Sequence, residues 1–175
     1  DALLHIRSDL FTISVIIPIL RTRRLELIPM TVPLCEADLF STEELARHLN
    51  ADVPDGWPPE LVTPETLHEF IGLLNAPGGS RFYSFYWIRV DDTGSERTLI
   101  GSGGCLIRDD GIPEIGYSVL ESFRCQGYAT EAVWVITSWL KETLSPAFIR
   151  AYTFPSLTGS IRVLEKNGYQ AVGPG

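Results

Sequence analysis

The sequence predicts a mixed α/β fold: a mostly antiparallel sheet with helices on its faces. Three observations predict it. Three strand-like runs follow one another through short turns between Ser84 and Leu120, as in an antiparallel meander. A strand, helix, strand succession then runs from Ile112 to Phe154, the pattern of a parallel crossover. Two short helices with clear start signals precede the meander. The chain has 175 residues, 45% of them hydrophobic and 21% charged, enough for one domain with its own core.

The elements follow in order. Residues 1–20 read as an N-terminal extension or extra strand, with FTISVIIPIL (Phe11 to Leu20) as its apolar run. That run is far shorter than the roughly 20 residues of a membrane span, and RTRR follows it, whereas a signal peptide carries its basic residues first. Residues 21–175 read as a single domain. RLELIPM (Arg24 to Met30) alternates apolar and polar residues and predicts a strand. STEELARHLN opens with Ser41 and has Glu44 three residues on, a capping box that starts a helix. The loop WPPE (Trp57 to Glu60) leads to TPETLHEFIGLL, with Thr63 as N-cap and Pro64 at the first helical position. Leu67, Phe70, Ile71 and Leu74 repeat at helical spacing.

SFYWIRV, then Thr98 to Ile107, then Ile112 to Leu120 form the meander, separated by the turn sequences DDTG and RDDG. A helix is expected from about Gly127 to Thr143, buried through Ala129, Ala132, Val133, Ile136 and Leu140. FIRAYTF (Phe148 to Phe154) reads as a strand, SIRVLEKNGY as a helix stopped at Gly168, and YQAVG as the start of a last strand.

Composition excludes several function classes. The net charge of -8 leaves no basic face for nucleic acid and attracts cations mildly. Cys35, Cys105 and Cys125 lie far apart, and His5, His48 and His68 show no ligand spacing, so neither a disulfide framework nor a metal site is implied. A cytoplasmic protein without membrane partners is the reading that follows.

The chemistry concentrates at FRCQGYATEAV, Phe123 to Val133, where a strand hands over to a helix. The first helical turn has unpaired N–H groups and a partial positive charge, which suits an anion. Gly127 lets the backbone approach closely, Ala129 keeps the approach open, Arg124 adds a charge-assisted contact and Thr130 a hydroxyl. The alternative is an ordinary tight turn. GSGG at Gly101 to Gly104 lacks the Lys-Ser/Thr of a phosphate-binding P-loop.

Arg124, Gly127 and Ala129 in the spacing R-x-x-G-x-A, within EIGYSVLESFRCQGYATEAV, resemble the central acyl-CoA motif of the GNAT acetyltransferase superfamily. SIRVLEKNGY resembles that family's second motif, and RTRRLELIPMT the first strand of the branch with the ribosomal-protein N-acetyltransferases. The resemblance covers about Arg21 to Gly173. It implies a GNAT-type sheet with a central strand-to-helix junction for acyl-CoA, and acetyl transfer from acetyl-CoA to an amine within a ternary complex, without metal. The acceptor is then a small-molecule amine or a protein N-terminus. The negative net charge suits a polycationic acceptor such as an aminoglycoside, a polyamine or a basic protein N-terminus. An acyl-CoA-binding or regulatory protein of the same fold is the alternative.

The resemblance places the cosubstrate on Val119, Glu121, Arg124, Cys125, Gln126, Gly127, Tyr128, Ala129 and Thr130. An alkylammonium has a pKa near 10, so a base must take its proton. Glu114 is the candidate, sharing a strand face with Gly116 and Ser118. The backbone N–H of Val119 is expected to stabilise the tetrahedral oxyanion. Many relatives carry a tyrosine as acid where this chain has Leu164; Ser160 is the first candidate here, with Tyr152 and Tyr169 as alternatives. Trp57, Phe82, Tyr83, Tyr86 and Trp87 are candidates for the acceptor pocket or for the core.

Three departures from the family pattern carry consequences. Leu157 stands where an asparagine usually contacts the CoA arm. Relatives continue past Gly175 into one more strand, and a missing last strand would expose a sheet edge; either the sequence is truncated there or a second subunit of a homodimer fills the gap. Cys125 replaces a usual glycine at the helix start, where thiols are activated, so it is expected to be alkylated faster than Cys35 or Cys105 and to be protected by CoA.

Overall fold

The computed structural model describes residues 16–77 and 81–173. Its elements run in the order β1 (Leu20–Arg21), β2 (Leu25–Pro29), α1 (Val32–Phe40), α2 (Thr42–Leu49), α3 (Pro64–Leu74), β3 (Phe82–Val90), β4 (Arg97–Ile107), β5 (Pro113–Val119), α4 (Tyr128–Leu144), β6 (Arg150–Ala151) and α5 (Thr158–Lys166). The strands form one six-stranded sheet whose spatial order follows the chain. Every neighbouring pair is antiparallel except β5 and β6, which are parallel.

The caps explain where the helices start. Ser41 Oγ accepts from Glu44 N at 3.2 Å at the start of α2. Thr63 and Thr66 form a reciprocal capping box at α3, with Pro64 in the first turn. α1 is absent from the sequence reading: its apolar residues do not fall on one stripe, although Thr31 caps it and Pro33 occupies its first turn. α5 closes with a Schellman pair, Gly168 N to Glu165 O at 2.9 Å and Tyr169 N to Leu164 O at 3.1 Å, around Gly168 at φ 81°.

The sheet separates two apolar clusters. On one face, Tyr86, Ile88, Leu99 and Phe82 pack with Leu34, Cys35, Leu45 and Leu49 from α1 and α2 and the edge of α3. On the other, Leu25, Leu27, Phe85, Trp87, Ile100 and Ile115 pack with Ala132, Ile136 and Leu140 of α4. Helices thus cover both faces, as alternating side-chain direction along each strand requires. Burying a leucine or isoleucine on either side contributes about 2 kcal/mol.

Two strand expectations are corrected. The run Phe148 to Phe154 pairs only at Arg150–Ala151, because the chain then veers away from β5, leaving Tyr152 and Phe154 exposed. No strand follows α5 among the described residues; Tyr169 turns its hydroxyl to Thr137 Oγ1 at 3.0 Å instead of entering a ladder. Of the N-terminal run, Leu20–Arg21 pairs with Leu27 and Glu26, and residues 1–15 lie outside the described residues.

Candidate active site

β5 is the centre of the site because β6 leaves it early. Among the described residues the two strands pair only at Glu114 with Arg150 and Ile115 with Ala151. Beyond Ile115 the edge of β5 that faces β6 is open. Backbone groups alternate sides along a strand, and Leu120 N donates to Ile100 O of β4 at 2.9 Å. The N–H and C=O of Val119 therefore turn to the open edge. Arg124 Nε donates to that Val119 carbonyl at 3.1 Å. The Val119 side chain is buried in the cluster beneath α4.

A short 3-10 turn, Glu121–Phe123, links β5 to the loop before α4. Cys125 (φ 59°) and Gly127 (φ 84°) are both left-handed, and such alternation gathers successive N–H groups into a concave nest. Gly127 is the N-cap of α4, and no side chain caps that turn among the described residues. A Cβ on Gly127 would also lie 3.3 Å from Arg24 Nη2.

Arg24 braces the loop from β2's entry, a role absent from the sequence reading. Its Nη1 donates to Gln126 O at 3.1 Å, its Nε to Glu131 Oε2 at 2.8 Å, and its guanidinium lies 4.4 Å from the Tyr128 ring centre. Burial alone raises the Glu131 carboxyl, but bonds from Thr22 and Arg24 outweigh it and hold it below the usual carboxylate range. Gln126 is turned back to Ser122 O at 3.0 Å. Ala129 packs on the core, and Thr130 O accepts from Asn167 Nδ2 at 3.2 Å, tying α4 to α5.

A cavity of about 630 Å³ runs along the open edge, within the usual range for a small-molecule site. Glu114, Gly116 and Ser118 line it from β5, with Ser102 and Gly104 from β4 and Ser84 from β3. The register sets Ser84, Gly104 and Gly116 side by side, and Ser102 beside Ser118. A Cβ on Gly116 would meet nothing within 4 Å. One end of the cavity is bounded by α3 and the segment before it, the other by Tyr152, Leu157, Ser160 and Leu164. Thr153 Oγ1, in this wall, is buried without a hydrogen-bond partner among the described residues, a condition buried hydroxyls rarely keep.

Glu114 and Ser160 thus share one cavity, while Glu121 and residues 124–130 sit past the end of β5, outside its lining. Glu114 is held by two arginines: Arg108 Nη2 at 3.0 Å and Nε at 3.3 Å, and Arg150 Nε at 3.3 Å. The Arg108 hydrogen bond, opposed by burial, keeps its carboxyl below the ordinary range. Tyr117 was missed in the sequence; its hydroxyl donates to Ser160 O at 3.3 Å, and burial raises its pKa. Leu164 lines the same cavity. Tyr169 is engaged by Thr137. Of the five aromatic candidates for the acceptor pocket, Phe82 lines the cavity; Tyr83, Tyr86 and Trp87 belong to the core, and Trp57 Nε1 donates to Asp38 at 2.7 Å.

Among the described residues no group of three or more His, Cys, Asp or Glu side chains is placed to hold a metal ion, and no helix is long and apolar enough to cross a membrane.

The model of the acetyltransferase (GNAT) domain matches residues 24–170. The uncharacterized N-acetyltransferase YjdG of Bacillus subtilis (strain 168) is 28% identical over 153 residues, 86% of this chain and 89% of that protein. Two solved structures share the fold. The ribosomal-protein-S5-alanine acetyltransferase from Vibrio fischeri has a TM-score of 0.56 at 20% identity, covering 89% of this chain and 85% of its own. The aminoglycoside N-acetyltransferase AAC(6')-Iy, solved with CoA, has a TM-score of 0.56 at 20% identity, covering 89% and 93%.

Proposed function

The chain belongs to the acetyltransferase (GNAT) family and is an acyltransferase, and on that premise we propose that it moves acetyl from acetyl-CoA to a primary amine by direct transfer in a ternary complex. The acceptor amine belongs to a small molecule or a protein N-terminus. The observation that carries the reading is the open edge of β5, continuous at one end with the uncapped first turn of α4 and opening sideways into the cavity that holds Glu114.

The residues fit acetyl-CoA as cosubstrate. The nest at Cys125 and Gly127 and the first N–H groups of α4 suit a pyrophosphate, with Arg124 within reach of the same loop. The second lone pair of the Val119 carbonyl and the main-chain groups of Glu121 suit an amide-bearing arm laid along the strand as an added ladder, which leaves the Val119 N–H for the thioester oxygen. Leu157 offers no hydrogen bond at the mouth of α5, so the arm rests there on apolar contact.

Each side chain then has a task. Glu114 takes the ammonium proton, directly or through one water, so that the nitrogen lone pair attacks the thioester carbonyl. The Val119 N–H donates to the oxygen on which negative charge develops; a positioned donor of this kind contributes a few kcal/mol. The C–N bond forms first, giving a tetrahedral adduct. As it collapses the C–S bond breaks, and the second proton of the amine nitrogen passes through the Ser160 hydroxyl to the leaving thiolate, so that Ser160 ends as it began. The phenol of Tyr117, protonated well above neutral pH, is a second donor in the same corner.

The test is a thermal shift with acetyl-CoA and with CoA, paired with thiol release across an amine panel. A ligand that binds the folded state raises the midpoint by mass action. We expect a shift for both ligands that disappears in Gly127→Glu, which fills the nest with a carboxylate. A folded protein that shows no shift at millimolar acetyl-CoA would overturn the reading.

A further inference from the structure

We propose that the acceptor is a singly charged amine carried on a bulky apolar group, not a polycation. The inference rests on the acetyltransferase reading above and concerns the end of the cavity bounded by α3. That end is walled by Leu61, Val62, Phe70, Leu73, Phe82 and Leu106. Phe70 and Phe82 pack with ring centres 4.7 Å apart, so the wall is a fixed apolar surface.

Local charge departs from the total. The chain carries -8 overall, but the charged residues lining the cavity are Glu69, Arg108 and Glu114, two acidic and one basic, a local net charge of -1. Arg150 and Asp110 lie just outside and pair with each other at 2.6 Å. Glu114 is already engaged by Arg108 and Arg150. Glu69, exposed on α3, is the one lining carboxylate for which no ion pair is formed with a described residue at this wall, and Arg108 feels its field. A polyamine or aminoglycoside brings several ammonium groups, each of which loses hydration and needs its own acceptors. This wall supplies apolar area instead, which favours a ligand that buries a hydrocarbon body while its single ammonium faces the carboxylates. The net charge of the whole chain is therefore not the charge an acceptor meets at this wall, because most of the acidic residues lie elsewhere.

Isothermal titration of four amines decides it: phenethylamine, leucinamide, spermidine and kanamycin, each against the protein alone and saturated with CoA. We expect phenethylamine or leucinamide to bind at least about tenfold more tightly than either polycation, the scale on which an apolar pocket discriminates. Which of the two apolar amines binds better separates an alkylamine source from an α-amine. Leu61 is 67% exposed at the rim, so Leu61→Asp is compatible with folding. It should weaken the preferred apolar amine about tenfold and leave the CoA dissociation constant unchanged. Equal or tighter binding of spermidine or kanamycin, no binding of either apolar amine, or an unaltered preference in Leu61→Asp would overturn the proposal. Loss of CoA binding, or CoA binding without thiol release, would instead strike the acetyltransferase reading, since the amine titrations are read independently of turnover.

Discussion

Glu114 shows how a residue chosen from sequence acquires a different character in place. Its position on the strand face with Gly116 and Ser118 was readable from the period of two. Its clasp by Arg108 and Arg150 was not, because Arg150 arrives from 36 positions along the chain. The two guanidinium groups lower its pKa, so the carboxylate stays ionised through neutral pH. The stability it adds is present above the unfolded-state pKa and is lost as pH falls through the lowered folded-state value. It is a ready proton acceptor but a weak one, and above its lowered pKa the amine's own titration sets the rate. Glu114→Gln should lower kcat by about a hundredfold with acetyl-CoA affinity retained. The deficit should shrink as pH approaches the acceptor's pKa, about 8 for an α-amine or about 10 for an alkylamine. A pH-independent deficit would reassign Glu114 as an anchor for β6.

Cysteine reactivity belongs to the same scale. Cys35 and Cys105 are buried, and burial pushes their thiols up to about 11 and about 12. Cys125 is exposed in the loop before α4. Iodoacetamide should label Cys125 first, with CoA slowing that label alone; equal rates for the three thiols, or no protection by CoA, would remove the loop from the cosubstrate site.

At the scale of elements, legibility followed local signals. α2, α3 and α4 carry a cap, a stripe or a stop that the chain states within a dozen residues. α1 carries a cap but no stripe, and it owes its place to a tertiary contact. Asp38 accepts from Trp57 Nε1 at 2.7 Å and Tyr86 Oη at 2.9 Å, tying α1 to the proline-rich loop and to β3. Burial raises the Asp38 carboxyl, against the lowering effect of those two donors. Removing the acceptor leaves two largely buried donors unmatched, so Asp38→Ala should cost about 1–3 kcal/mol, read as a lower denaturant midpoint, and Asp38→Asn less. A neutral Asp38→Ala would mean that water replaces the carboxylate. β6 was overread for the converse reason: FIRAYTF has strand composition, but a ladder also needs a partner at the right distance, and β5 has already diverged.

Across the whole molecule the sheet is unevenly tied. β3, β4 and β5 are joined over most of their lengths, whereas β6 and α5 are held by two residue pairs, the Arg150 ion pairs, the Tyr117–Ser160 and Tyr169–Thr137 hydrogen bonds and the Asn167–Thr130 link. A ligand bridging β5 and α5 should therefore slow amide exchange most in α5 and around Arg150, leaving β3 and β4 unchanged. Uniform slowing would place the ligand elsewhere. The order of the strands was legible because neighbours in the chain are neighbours in the sheet. The site was legible only in part: Arg108 and Arg150 reach it from stretches outside the recognised motifs, while Arg24 and Tyr117 lie inside those motifs at positions whose contacts only the fold reveals.

The division of the apolar interior by the sheet has a consequence for how such a protein changes over time. One cluster supports the wall behind α3, and the other supports the helix whose first turn faces the cosubstrate loop. Substitutions far apart and without shared partners combine additively. A lineage can therefore resculpt α1 to α3 for a new acceptor while the α4 side keeps its grip unchanged, and a designer can exchange one side without retuning the other.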